Sequence, residues 1–425
     1  MDTQRTAQHS VTALLPILGV VFIAFLIIGF AMPVLPLHVH QSLGLSTFIV
    51  GLVVGSQFAA SLISRLWAGQ HADSRGAKHA IVAGLVVSAF AGLLYLLSLR
   101  VSEPAISVTI LLLGRALLGA GESFIITGAQ TWGLALAGAQ NTGKVLAWMG
   151  TAMYAAFALG APAGTILYGS HGFTAIALAT TLAPLATLLL VARLRRVAPT
   201  ARSRPAFSKV VAAVWLPGAG LALSSVGLGA VTAFVALLFA ARGWTVWPAF
   251  TTFAVAFIFA RVVFGHLADR IGGAKVALVS VLIEAAGQAL IWLAPSSALA
   301  LIGAALTGFG YALAYPGFGV EAVRRAPAQS RGLAMGAYTA FLDVALAVAS
   351  PGLGLIAGTT DLSTVFLAST LVVLCAAAIA VRLLYARSTV RSMPTSRSTT
   401  TTTSIAALPA TRLTSGRTSC LGSIG

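Results

Sequence analysis

The chain has 425 residues, 58% of them hydrophobic and only 8% charged, with 26 Lys and Arg against 9 Asp and Glu. Ordinary soluble domains are about 45–50% apolar and about 25% charged, so a soluble enzyme of this length, which needs charge to cover its surface, is excluded. So are a disordered chain, which needs low hydrophobicity, and a disulfide scaffold, which two cysteines cannot build.

A helix crosses the bilayer core with about 20 mostly apolar residues. In chain order the sequence predicts twelve such spans, at 14–37, 45–67, 79–99, 105–127, 145–168 and 173–194, then 211–240, 248–267, 276–294, 298–320, 332–357 and 362–385. The runs are continuous and do not alternate, which excludes a transmembrane barrel. The first run is too long for a signal-peptide core and lacks a small-residue cleavage site, so it reads as a helix. The expected fold class is an all-α integral membrane protein of twelve transmembrane helices.

Five segments follow: an N-terminus at 1–13, a six-helix half at 14–194, a linker at 195–210, a second six-helix half at 211–386, and a tail at 387–425. The tail is rich in Ser, Thr and Arg, contains no acid, and reads as a disordered basic segment. With the N-terminus inside, only Arg100 and Arg242 fall outside and only Arg115 lies well within a span. The remaining bases, Arg65 and Arg261 among them, fall at cytoplasmic loops and helix ends. The positive-inside rule thus places both termini in the cytoplasm. The net charge of +17 becomes a topology signal rather than a nucleic-acid surface.

The two halves repeat. RLWAGQHADSRGAK (Arg65 to Lys78) after the second span matches RVVFGHLADRIGGAK (Arg261 to Lys275) after the eighth, 196 residues on. GRALLGAGE (Gly114 to Glu122) in the fourth span matches GAALTGFGY (Gly303 to Tyr311) in the tenth. GAPAG (Gly160 to Gly164) in the fifth matches SPGLG (Ser350 to Gly354) in the eleventh. Three matched pairs in register predict a parallel repeat of six-helix units.

On these motifs the chain resembles the major facilitator superfamily over about residues 12–387. The loop after span two carries that superfamily's signature with Gly69, Asp73, Gly76 and Lys78 in place, and Arg75 between two replaced basic positions, Ser74 and Ala77. The second copy keeps Gly265, Asp269, Arg270 and Gly272, with one extra residue before Lys275. Arg115 with Gly119 and Gly121 resembles the R-x3-G-x-G element of proton-coupled efflux members, and Pro162 partly matches their glycine-proline element. The resemblance implies two pseudo-symmetric six-helix bundles, and points to a bacterial efflux-type branch often labelled arabinose-efflux-like, in the cell inner membrane. It also gives the loops at Gly69, Asp73, Arg75, Gly76, Lys78, Gly265, Asp269, Arg270 and Gly272 a gating role. A carboxylate such as Asp73 there can accept from helix N-terminal amides or pair with arginine on a neighbouring helix, in one conformer only.

Four ionisable acids and bases lie well within spans, Arg115 against Glu122, Glu284 and Asp343, so the spans carry an excess of acid. Such groups are costly in hydrocarbon and should face a cavity or a partner. Arg115 and Glu122 are seven residues apart, so they share a helix face about 10.5 Å apart along the axis. Arg115, Glu122 and Asp343 are the candidate proton and substrate site. Glu284 has Gln288 one turn on, where the two can bond to each other, and reads as structural. Candidate cavity-lining groups are Gln57, Tyr154, Tyr311, Tyr315 and Tyr338, suited to a small amphipathic or sugar-like solute. Gly51 and Gly55 form G-x3-G, a close helix contact expected within the monomer.

No P-loop, no nucleophile–base constellation and no Cys or carboxylate cluster beside His38 and His40 occurs in the sequence. ATP-driven transport by this chain alone, an enzyme, a metal and a cofactor are therefore not expected. The expected partners are a small-molecule substrate, protons as coupling ion and the lipid bilayer, with no nucleic acid, in a monomer. The expected function is proton-coupled efflux of a small sugar-like or drug-like solute by alternating access. The alternatives are an uptake symporter of the same fold and, remotely, a non-transporting membrane sensor or scaffold.

Overall fold

The structure, a computed structural model, describes residues 2–137, 142–194, 207–326 and 331–391. In the first half α1 (Asp2–Leu37) runs into a π-helical turn (His38–Ser42), followed by α2 (Thr47–Arg75), α3 (Ala77–Ser98), α4 (Pro104–Ala137) and α5 (Thr142–Ala192). The second half begins with α6 (Phe207–Ala230), a π segment (Val231–Val235) and α7 (Ala236–Ala241), which together form one rod. After it come α8 (Trp247–Phe264), the short α9 (Leu267–Ile271), α10 (Gly273–Leu293), α11 (Ser297–Arg325), α12 (Arg331–Thr359) and α13 (Thr364–Arg391). The described residues contain no strand.

Eleven of these elements are long and apolar enough to cross a membrane. One of them, Trp148–Ala192, has 45 residues. At 1.5 Å per residue it would be about 68 Å long, over twice the hydrocarbon thickness. Its backbone leaves the helical region at Gly172 (φ 65°, ψ −165°), so it makes two crossings and the described residues make twelve. Several helices outrun their apolar stretches: α2 continues to Arg75, α4 to Ala137 and α11 to Arg325. Hydropathy reports the thickness of the bilayer, and a helix keeps its backbone hydrogen bonds after it leaves the lipid.

The repeat is written into helix contacts. A Cβ on Gly119 (α4) would lie 2.0 Å from the carbonyl oxygen of Gln57 (α2), and one on Gly308 (α11) would lie 2.1 Å from that of Phe253 (α8). Gln57 and Phe253 stand the same 196 residues apart as Arg65 and Arg261. Only glycine lets these backbones meet, and it does so at matched places in both halves.

The bundle of α1–α5 meets the bundle of α6–α13 mainly through α2 against α12 and α5 against α8. The first seam is closed at the Thr47 end. Thr47 Oγ1 donates to Gly354 O (2.8 Å), and a Cβ on Gly51 would lie 2.2 Å from Ser350 O. The G-x3-G pair therefore makes its contact inside one chain, between the two bundles.

Candidate functional site

The close approach at Gly119 brings α2 beside the one mid-helix carboxylate of α4. Gln57, buried on α2, donates from Nε2 to Glu122 Oε2 at 2.6 Å. Arg115 lies two turns from Glu122 on the same helix, and the two are not bonded to each other. Arg115 is 3% exposed, and its Nε and Nη1 have no hydrogen-bond partner. The Tyr95 hydroxyl lies beside it, within reach of the guanidinium. Arg115 lines a cavity between the bundles with Ala31, Met32 and Leu35 of α1, Val54 and Phe58 of α2, and Thr232 of the π segment. The cavity measures about 10 Å³, room for one water.

Asp343 on α12 is buried and pairs with Arg65 on α2, whose other terminal nitrogen donates to Thr339 Oγ1 at 2.6 Å. The pair joins the two bundles. In sequence Arg65 and Arg261, its counterpart in the repeat, read as bases at cytoplasmic helix ends. The structure places Arg261 on α8 with Nη1 3.3 Å from Ala312 O and its guanidinium 5.7 Å from the Tyr315 ring centre. Among the described residues no carboxylate pairs with Arg261. In the GAPAG/SPGLG register the α5 position matching Asp343 holds Met153, which has no charge to offer.

Glu122 lies within electrostatic reach of Asp343, Arg65 and Arg115, and Tyr315 within reach of Arg261, Arg65 and Asp343. Two guanidinium groups, Arg65 and Arg115, thus lie within reach of the two carboxylates where the bundles meet, and Arg261 stands at the edge against Tyr315. The expected excess of acid in the spans does not hold there. Two arginines near the ends of their apolar runs reach inward to the site, with long stems that cross apolar surface.

The tyrosines divide. Tyr154 stacks on Phe257 across the α5–α8 seam, with ring centres 3.6 Å apart. Tyr311 and Tyr338 are fully buried in the second bundle, where Tyr338 donates to Tyr315 O (2.6 Å) and Tyr311 meets Ser225 Oγ (3.3 Å). None of the four tyrosines borders the Arg115 cavity. Glu284 and Gln288 are both buried but do not bond to each other. Ser224 donates to Glu284 (2.5 Å), whereas Gln288 donates to Gly227 O (3.2 Å), because α6 approaches α10 at Gly227 and offers its backbone first.

In the signature segments α2 runs helically through Gly69 and Asp73 to Arg75 and turns only at Gly76 (φ 96°). The second copy breaks at Gly265, restarts as α9 with Asp269 and Arg270, and turns at Gly272 (φ 100°). The two turns match although the helices leading to them differ. Lys78 Nζ donates to Ala192 O (2.8 Å) and Leu194 O (2.6 Å), capping the carbonyl end of α5. At the other membrane face His38 stacks on Phe173 (4.2 Å) and His40 Nδ1 meets Leu45 O (2.8 Å), so the two imidazoles serve separate contacts.

Twelve crossings in two repeated bundles, with charged side chains gathered where the bundles meet, describe a multi-pass membrane protein built as a transporter. The chain belongs to the Major Facilitator Superfamily, whose family model matches residues 17–247 and 242–418. The second match runs past residue 387, the end of the resemblance carried by the motifs, and into the Ser/Thr/Arg-rich tail. The chain is 42% identical over 375 residues to an uncharacterized MFS-type transporter of Salmonella typhimurium, covering 88% of this chain and 97% of that one. Its fold is similar to that of a D-xylose–proton symporter, with a TM-score of 0.71 at 15% identity, covering 89% of this chain and 96% of the other. It is also similar to that of the nucleoside transporter NupG, with a TM-score of 0.68 at 14% identity, covering 87% and 99%.

Proposed function

We infer that the chain is a secondary active transporter of the bacterial inner membrane, with both termini in the cytoplasm, exporting a small organic solute in exchange for protons. The two bundles rock about the seam so that the site opens to either side in turn. Glu122 exchanges the proton, Arg115 and Asp343 complete the site, and the segments around Asp73 and Asp269 gate the cytoplasmic face.

The observation that carries the reading is the position of Glu122. It is a carboxylate in the middle of a membrane-length helix, hydrogen-bonded to a neutral amide rather than neutralised by a directly bonded base. An acid held in that way can gain or lose a proton without breaking an ion pair, and intramembrane acids mark proton pathways. Family membership and the R-x3-G-x-G element support transport and export respectively.

The test is solute counterflow in proteoliposomes with and without a pH gradient. Flux driven by the gradient, with Glu122→Gln still inserted but no longer gradient-driven, is the expected result. Unchanged gradient-driven flux in Glu122→Gln would remove Glu122 from the mechanism. Accumulation along the proton gradient rather than against it would reverse the direction.

A further inference from the structure

No carboxylate among the described residues is bonded to Arg115. A guanidinium is charged at any physiological pH, and a buried one is tolerated when it is paired and hydrogen-bonded. Two of its nitrogens are buried and unpartnered. The acid within reach, Glu122, already accepts from Gln57, and Asp343 holds Arg65. The Tyr95 phenol beside it is neutral. The walls of the cavity are apolar at Met32, Val54 and Phe58. One hydroxyl, Thr232 Oγ1, donates to its own helix and keeps lone pairs free for a ligand donor.

We propose, on the basis of the transporter reading above, that the carried solute is a small organic anion with an apolar body, whose carboxylate pairs with Arg115 between the two bundles. A carboxylate presents two coplanar oxygens that match the guanidinium fork. Bound there, it gives Arg115 the bonded counter-charge that no carboxylate among the described residues supplies. A cationic solute would instead be repelled by a buried guanidinium that has no bonded acid. The cavity holds one water in this conformer, so the anionic head enters as the bundles part.

The test uses the full chain purified in detergent, so that its result does not depend on flux. Thermal unfolding is followed with benzoate and 4-phenylbutyrate, with benzamide and 4-phenylbutyramide as neutral isosteres, and with benzylamine, each at about 10 mM. The carboxylates raise the melting temperature and the amides and amine do not. Arg115→Gln weakens the carboxylate response at least about tenfold, as loss of a charge-assisted pair requires, and Arg115→Lys keeps part of it. Without ligand, Arg115→Gln is as stable as the parent or more so, because an unpaired buried charge has gone. Four results would overturn the proposal: equal responses to acid and amide, a carboxylate response that survives Arg115→Gln, no response to either carboxylate, or a marked loss of stability in unliganded Arg115→Gln. A failure here with gradient-driven flux intact removes the anion assignment and leaves the transporter standing. A carboxylate response without flux does the reverse.

Discussion

Asp343 on α12 and Arg65 on α2 form an ion pair that joins the two bundles, and the repeat supplies no second copy of it. Arg261 occupies the matching position on α8 but rests against Tyr315 and a backbone carbonyl. The two seams of the molecule are therefore chemically different, one locked by charge and the other by the stacked rings of Tyr154 and Phe257.

Removing one partner of that lock leaves the other uncompensated. Asp343→Asn is expected to destabilise this conformer by about 1–3 kcal/mol, below the range for a fully buried pair because Arg65 remains 27% exposed. Cysteines placed across the α2–α12 seam would report the change as slower cross-linking. The double reversal Arg65→Asp with Asp343→Arg should restore much of the lost rate. If it restores nothing, the pair is not what holds the seam.

Gly119 and Gly308 make the same contact with different consequences. Alanine at either overpacks a helix pair and should cost about 1–3 kcal/mol of thermal stability. Only Gly119→Ala pushes Gln57 away from Glu122, so only it should also change gradient-driven flux in reconstituted vesicles. Equal effects of the two variants on flux would contradict the link between the glycine contact and the carboxylate.

Asp73 and Lys78 are proposed to act on conformational rates rather than on the solute. Asp73→Asn is expected to slow counterflow with solute affinity intact. Lys78→Gln, which removes the cap on α5, should cost about 0.3–1 kcal/mol. Weakened binding with normal turnover in Asp73→Asn would exclude a gating role.

A pH effect is expected outside the membrane. Asp361 accepts from the Ser363 side chain and from the Ser363 and Thr364 amides leading into α13, and these bonds hold its carboxyl at about 2, below the usual carboxylate value. A depressed value stabilises the folded turn above the unfolded pKa, near 4, and that contribution disappears as pH falls through 2. Amide exchange at residues 363–366 should therefore accelerate, beyond its intrinsic pH dependence, between about pH 4 and pH 2. Asp361→Asn should flatten this extra dependence.

The crossings were legible because a bilayer imposes one length and one polarity on every span. The repeat was legible because glycines needed for backbone contact fall at fixed intervals. Glu122 and Asp343 stood out as acids in apolar runs. Their partners did not. Arg65 lies close to the end of its hydrophobic stretch, where a base reads as a topology marker, and its acid is 278 residues away. Gln57 reads in sequence only as a cavity-lining amide, since its bond to Glu122 depends on how closely Gly119 lets the helices approach. Tyr311 and Tyr338 resemble cavity groups in sequence, but whether a phenol meets a solute or its own bundle is decided by helix rotation, which no single-chain pattern encodes.

The meeting of Gly119 with Gln57, and of Gly308 with Phe253, joins an α-carbon to a carbonyl oxygen and involves no side chain. A contact of that kind is indifferent to what its partner residue projects. One copy of the repeat can therefore present an amide to a carboxylate while the other presents an aromatic ring, with the helix pair beneath unchanged. Chemistry can diverge between the halves of such a duplicated protein without re-solving how the helices pack.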